Sequence, residues 1–245
     1  MRLAQRLNNF PEYIFSTLAK KRVAVEQATG KKVLDLSIGS PDFPPDPAHT
    51  AKLKEFLDDS KAHLYPGYGA NAAFTSGLQA WYSERFGVTL EPNELFPLLG
   101  GKDGVSHIAL ALLDAGDEVL VPDPGYPGFT GSALMVGGKP VYYDLTEEHN
   151  FTIDIAALEK KVSEHTKCMW VNFPSNPTGQ VATVEELTHI VSFAKRHNIV
   201  LLYDNAYAEI TFDGFIAPSI LQIPGAKDIA KIGRASCRER VSSPV

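Results

Sequence analysis

The chain has 245 residues, 44% hydrophobic and 21% charged, which is enough apolar material for a sizeable core. A net charge of -6 and a pI near 5.6 exclude a basic nucleic-acid footprint. Cys168 and Cys237 lie far apart, so a disulfide framework or CxxC pair is excluded and a reducing compartment fits.

In chain order, MRLAQRLNNFPEY has no apolar block of the signal-peptide kind, and no later apolar run approaches a membrane span. A cytoplasmic location with no membrane partner is expected. Glu12–Ala28 reads as a helix with Ile14, Leu18, Val25 and Ala28 on one face, stopping at Gly30. Val33–Ile38 is a short apolar run, and the four prolines of GSPDFPPDP then break regular structure. Ala48–Leu57 reads as a short helix, Tyr65–Asn71 as a polar glycine-rich loop, and Ala72–Phe86 as a helix ending at Gly87.

From there strands alternate with helices. Leu95–Leu99 is strand-like and precedes GGKDG and a helix over Val105–Leu113. Glu118–Val121 is a strand, followed by PDPGYPG and a helix near Phe129–Val136. Pro140–Leu145 is a strand, and Ile155–Val162 a helix. Cys168–Phe173 is a strand that runs into PSNPTG. Val184–His197 is a helix with a capping box, because Thr183 and Glu186 have the required spacing. Ile199–Tyr203 is a strand ending at Asp204. This alternation predicts an α/β fold, three layers with a mostly parallel sheet. The runs VLVP, MWVNF and IVLLY look buried on both faces.

Ligands collect at the carboxyl ends of such strands, where GGKDG, PDPGYPG, PSNPTG and DNAY all fall. GGKDG either holds a phosphate on backbone N–H groups or is a tight turn; it matches neither dinucleotide nor Walker spacing. Asn176 either donates to a ligand oxygen or sits in a plain turn. Asp204 either caps the turn after it or faces a protonated ring nitrogen. Tyr207 shares its side if that turn is helical, and Tyr126 can stack on a flat ring or merely pack. The seven histidines show no metal-ligand spacing, so no metal is expected. Jointly, a phosphate cup, a stacking aromatic, an Asn, and an Asp with a Tyr describe a pyridoxal phosphate site.

On SNPTG, YDNAY, GGKDG, PGYP, SIGSPDFPPD and LYPGYGANAAF, the chain from Phe10 to Lys231 resembles the class I/II aminotransferases of fold type I. Within them it is most similar to the branch of LL-diaminopimelate, aspartate and alanine aminotransferases. The resemblance implies an incomplete large domain of that fold over residues 46–231. Residues 1–45 would be an N-terminal arm and part of a small domain. The implied reaction moves an amino group between an amino acid and a 2-oxo acid. Gly101, Lys102 and Asp103 would offer amides to the cofactor phosphate, and Tyr126 would stack on its ring. Asn176 and Tyr207 would bond its phenolic oxygen, and Asp204 its pyridine nitrogen. Gly39, Tyr13 and Asn176 would face substrate. Tyr65 would reach a neighbouring subunit's cofactor, which implies a homodimer with shared sites.

The family's Schiff-base lysine comes after Ser-x-Ser, and no lysine here does. Lys227 and Lys231, the only two after Tyr207, lie in PGAKDIAKIG. The chain is therefore expected to be cut at its C-terminal side and inactive alone. Three of eight arginines and one of two cysteines fall in Ile232–Val245, which has neither strand nor helix periodicity and is expected to be a foreign tail. Two other functions fit the same residues: a pyridoxal phosphate C–S lyase or other eliminating enzyme, and a non-catalytic ligand-binding protein of this fold.

Overall fold

The computed structural model describes residues 2–10, 12–37, 39, 43–65 and 71–233. The chain divides into two units, Met1–Pro45 and Asp46–Val245.

The first unit holds a short 3-10 turn at Gln5–Asn9 and helix α1, Ile14–Thr29, which ends at Gly30 in the left-handed conformation. Ile14, Leu18 and Val25 all stay exposed, so the expected apolar face of α1 is not buried. Residues 31–37 form no strand.

The second unit carries the sheet. Helix α2, Pro47–Leu57, starts where the Asp46 carboxylate accepts from the Ala48 N–H at 2.7 Å. Helix α3, Ala72–Phe86, starts at Asn71, whose side chain accepts from Ala73 and Phe74, and ends at Gly87. Next come α4 (Gly101–Leu112), β1 (Glu118–Asp123), α5 (Pro127–Met135) and β2 (Lys139–Asp144). After them come α6 (Ile155–Glu159), β3 (Thr166–Asn172), α7 (Val184–Arg196), β4 (Val200–Asp204) and β5 (Ala230–Gly233). The capping box of α7 is present in both directions: Thr183 Oγ1 accepts from Glu186 N, and Glu186 accepts from Thr183 N at 2.7 Å.

All four strand pairings are parallel, in the order β2-β1-β3-β4-β5. This is the α/β layering that the sequence implies. Strand side chains alternate between two cores. Leu120, Met169, Val171, Leu201 and Tyr203 pack with Leu187, Ile190 and Phe193 of α7 on one face. Val119, Val121, Cys168, Trp170 and Leu202 pack with Val105 and Ala109 of α4 and Phe129 of α5 on the other. Cys168 belongs to that second core, and burial, with the Asp117 charge added, pushes its thiol up to about 12. It acts there as a small apolar side chain.

Two expectations fail. Leu95–Leu99 is not a strand but irregular chain after a 3-10 turn at Pro92–Glu94. A strand needs a neighbour for its backbone groups, and among the described residues none pairs with this segment. Its Leu99 N–H goes to the Asp103 carboxylate instead. Second, Ile232 and Gly233 are not patternless tail but the end of β5, in register with Tyr203 and Asp204. Residues 234–245 lie outside the described residues. Among the described residues no helix is long and apolar enough to cross a membrane, and no group of His, Cys, Asp and Glu could hold a metal.

At the sheet edge opposite the ligand loops, Glu118 is buried and accepts from Lys139 Nζ at 2.7 Å and Ser163 Oγ at 2.5 Å. Lys139 first and Ser163 second hold its carboxyl below the ordinary 4.5. A carboxylate depressed in the folded state contributes stability that is present above 4.5 and lost as pH falls through the lower folded value. Urea melts of Glu118→Gln across the acid range should lose that part of the pH dependence. A variant as acid-sensitive as the native chain would contradict it. Phe129, fully buried and stacked on Trp170 at 4.5 Å between centroids, carries the α5 packing. Phe129→Ala should cost about 3–5 kcal/mol in the same assay.

Candidate functional site

The carboxyl ends of the strands open onto a cavity of about 550 Å³. Its wall includes Gly101, Lys102, Tyr126, Asn176, Asp204 and Tyr207, so all four glycine, proline and polar clusters reach one space. The volume is in the range of small-molecule sites, and a mostly apolar wall with a few convergent polar groups is their usual make-up.

The β3–β4 register creates the polar side of this space. Asn172, the last residue of β3, is directly opposite Asp204, the last of β4. Asn172 is buried at 4% exposure and its side-chain amide is fully used. Its Nδ2 donates to Asp204 O at 2.9 Å and to Pro174 O at 3.3 Å, and its Oδ1 accepts from Asn176 N at 2.7 Å. One side chain thus fastens the PSNPTG loop to the start of DNAY. The loop closes on itself through Gly179 N to Ser175 O and Ser175 N to Gln180 O, both 2.8 Å, with Gly179 at φ 72. As a result, Asn176 Nδ2 meets the Tyr207 hydroxyl at 3.4 Å, a separation at which both can address one acceptor atom. Sequence reasoning misses Asn172. The signal is there, as a polar residue closing the apolar run MWVN beside a second loop that also begins with a polar residue.

Tyr126 immediately precedes α5 and packs edge-on against Phe129, at 5.4 Å and 79°. Phe129 in turn stacks on Trp170 of β3, which also lines the cavity. Gly128 makes this possible, because a Cβ there would run into Cε1 of the Tyr126 ring. Gly128 therefore leaves room for the Tyr126 ring to lie where it does against Phe129.

The third wall is the start of α4. The helix begins at Gly101, four residues before the expected Val105, so GGKDG is its cap and first turn rather than a loop ahead of it. Asp103 N donates to Gly100 O at 3.1 Å, and the N–H groups of Gly101 and Lys102, which precede any intrahelical acceptor, stand at the helix end where partial positive charge also collects. Gly100, the N-cap, has φ 107, which a side chain would strain. That supplies the donor set a phosphate needs.

The other expected residues fall elsewhere. Tyr65 is almost entirely solvent-exposed. Tyr13 and Gly39 belong to the first unit, where both are exposed. Lys227 is engaged with Glu94 at 2.8 Å and with Thr89 O at 3.1 Å. Lys231 on β5, together with Phe96, Leu98, His107 and Trp170, lines the cavity without having been expected there. Its charge reaches Glu94, whose carboxyl is lowered chiefly by Lys227 and to a smaller extent by Lys231.

Comparison with known proteins gives a consistent set. The family model for aminotransferase class I and II matches residues 31–235. LL-diaminopimelate aminotransferase 2 of Trichormus variabilis is 40% identical over 233 residues, 94% of this chain and 59% of that protein. LL-diaminopimelate aminotransferase of Aquifex aeolicus is 40% identical over 229 residues, 93% of this chain and 59% of the relative. Among solved structures, apo-BacF from Bacillus subtilis superposes with a TM-score of 0.88 at 30% identity, covering 96% of this chain and 60% of its own. The chain spans about 59% of the length of the curated relatives it matches.

If Tyr126 is a ring platform, Gly128→Ala should weaken binding of pyridoxal 5′-phosphate by about three- to tenfold, the worth of one aromatic stack. Quenching of Trp170 fluorescence on titration reads this directly. Unchanged affinity with a displaced Tyr126 ring would remove the platform role.

Proposed function

We propose, from the premise that this chain belongs to the aminotransferase class I and II family, that it carries the cofactor cradle of a pyridoxal phosphate aminotransferase. Pyridoxal phosphate is the cofactor of that family. The observation that carries the reading is the convergence of Asp204, Asn176, Tyr207, Tyr126 and the α4 N-terminus on one cavity. The donor set fits the group: N–H groups at one end for a phosphate, a carboxylate for a ring nitrogen, and an amide with a phenol for a phenolic oxygen.

Each side chain has a definable task. Asp204 holds a proton on the ring nitrogen, because a carboxylate between apolar walls strongly favours a cation beside it. Asn176 and Tyr207 fix the ring's rotation by sharing its phenolic oxygen. Tyr126 excludes water from one ring face. The first turn of α4 anchors the phosphate and so sets where the ring can lie. Once bound and kept cationic, the cofactor supplies a sink for the electron pair released when an amino acid loses its α-proton.

The whole protein then exchanges amino groups between an amino acid and a 2-oxo acid. LL-diaminopimelate is the donor to assay first, since that is what the relatives at 40% identity are named for. By the family resemblance, Gly39 and Tyr13 are the residues to test for substrate contact, and Tyr65 for contact with a neighbouring subunit's cofactor in a cytoplasmic homodimer. In the full-length protein, Asp204→Ala should lower the transamination rate by about a hundredfold or more while the fold survives. Elimination products in place of amino-group exchange would select the C–S lyase reading. Binding without turnover would select the ligand-binding one.

The chain has no lysine in a Ser-x-Ser context. Lys227 is held by Glu94, and the charge of Lys231 is felt by the same carboxylate. Borohydride reduction after mixing the chain with pyridoxal 5′-phosphate should leave no adduct concentrated on a single lysine. A stoichiometric adduct on Lys231 would contradict this.

A further inference from the structure

Asp103 poses a problem for the phosphate cup. A carboxylate in the first turn of α4 stabilises the helix end but repels a phosphate held there. The structure shows how that carboxylate is used. It accepts from Leu99 N at 3.1 Å and lies 2.7 Å from Nδ1 of His107, one turn further along α4. The same Nδ1 is 2.9 Å from Asp103 O. His107 lines the cavity beside Gly101, Lys102 and Gly104. Asp103 therefore reaches back past the N-cap and fastens the incoming chain to the helix. Leu98 is pressed against Gly104, where a Cβ would collide with its Cδ1. The turn between these two fastenings contains Gly100, at φ 107.

Resting on the reading of this end as a phosphate cup, we propose that the Asp103 side chain is the positioning residue of the cup. By holding Leu99 and orienting His107, it fixes the Leu98–Gly101 turn so that the N–H groups of Gly101 and Lys102 converge on one anion, while its own N–H closes the turn on Gly100 O at 3.1 Å. Its benefit through geometry outweighs its charge repulsion.

The two effects have opposite signs in one experiment. The full chain is titrated with pyridoxal 5′-phosphate and with pyridoxal, which lacks the phosphate, and the ratio of affinities is taken. A native ratio near one would defeat the cup reading itself, whatever Asp103 does. Given a native preference for the phosphate ester, Asp103→Ala should reduce that preference about tenfold, one hydrogen bond's worth of cup geometry. Asp103→Asn, which keeps an acceptor for Leu99 N–H, should recover most of it. Charge alone gives the reverse order, with Asp103→Ala preferring the phosphate ester more strongly than the native chain. An unchanged or increased ratio in Asp103→Ala overturns the proposal. If that variant fails to fold, Asp103→Glu decides: it keeps the charge, shifts the carboxylate by one methylene, and should also lose the preference, whereas a native ratio overturns the proposal.

Discussion

The side-chain amide of Asn172 is the constraint on which the polar half of the cavity depends. Parallel strands leave their last carbonyls and amides unpaired at the carboxyl edge, and buried backbone groups of that kind must find partners. Asn172 satisfies Asp204 O, Pro174 O and Asn176 N with one planar group. Two loops that are remote in sequence thereby become one surface. The pairing of Asn176 with Tyr207 results from it, and Asp204 is held by its own backbone at the mouth of the cavity. Tyr203 repeats the device behind the sheet, donating to Phe173 O at 2.9 Å from a fully buried hydroxyl. Burial raises the pKa of that phenol, so it stays a donor.

The remaining walls rest on packing rather than polarity. Trp170, Phe129 and Tyr126 form a continuous aromatic column from β3 through α5 to the cavity. The column is rigid because Phe129 has no solvent exposure and Trp170 very little. A ring bound above Tyr126 would therefore meet a preset height. The α4 helix end, capped by Gly100 and closed by Asp103, sets the other coordinate. A flat phosphate ester placed between these two has little freedom left, which is what orientation of a reacting group requires.

Most of the large unit is legible in the sequence because β1, β3 and β4 carry apolar, buried runs and its helices carry explicit stops. α3 ends at Gly87 and α7 begins at the Thr183 capping box, as the residues indicate. Leu95–Leu99 misleads because its residues suit a strand but no strand among the described residues pairs with it, and pairing is a property of the neighbour. That Gly101, Lys102, Tyr126, Asn176, Asp204 and Tyr207 share one cavity is legible from motif order, whereas the roles of Asn172 and the Asp103 side chain are not. Both act on backbone groups that only become adjacent once the sheet and the α4 turn exist. Tyr13 and Gly39 lie in a unit whose helix α1 buries none of its residues, so local pattern there says little about substrate contact.

The proposed cradle gives the cavity a polarity along its length: the cofactor's phosphate would lie at the α4 end and its ring nitrogen at the β4 end. A crystal structure of the full chain with pyridoxal 5′-phosphate bound tests this most directly. The expected result has the phosphate on the N–H groups of Gly101 and Lys102, the ring on Tyr126, and the ring nitrogen within hydrogen-bond distance of the Asp204 carboxylate. A molecule bound in the reverse sense, or outside the cavity lined by Asn176 and Tyr207, would contradict it.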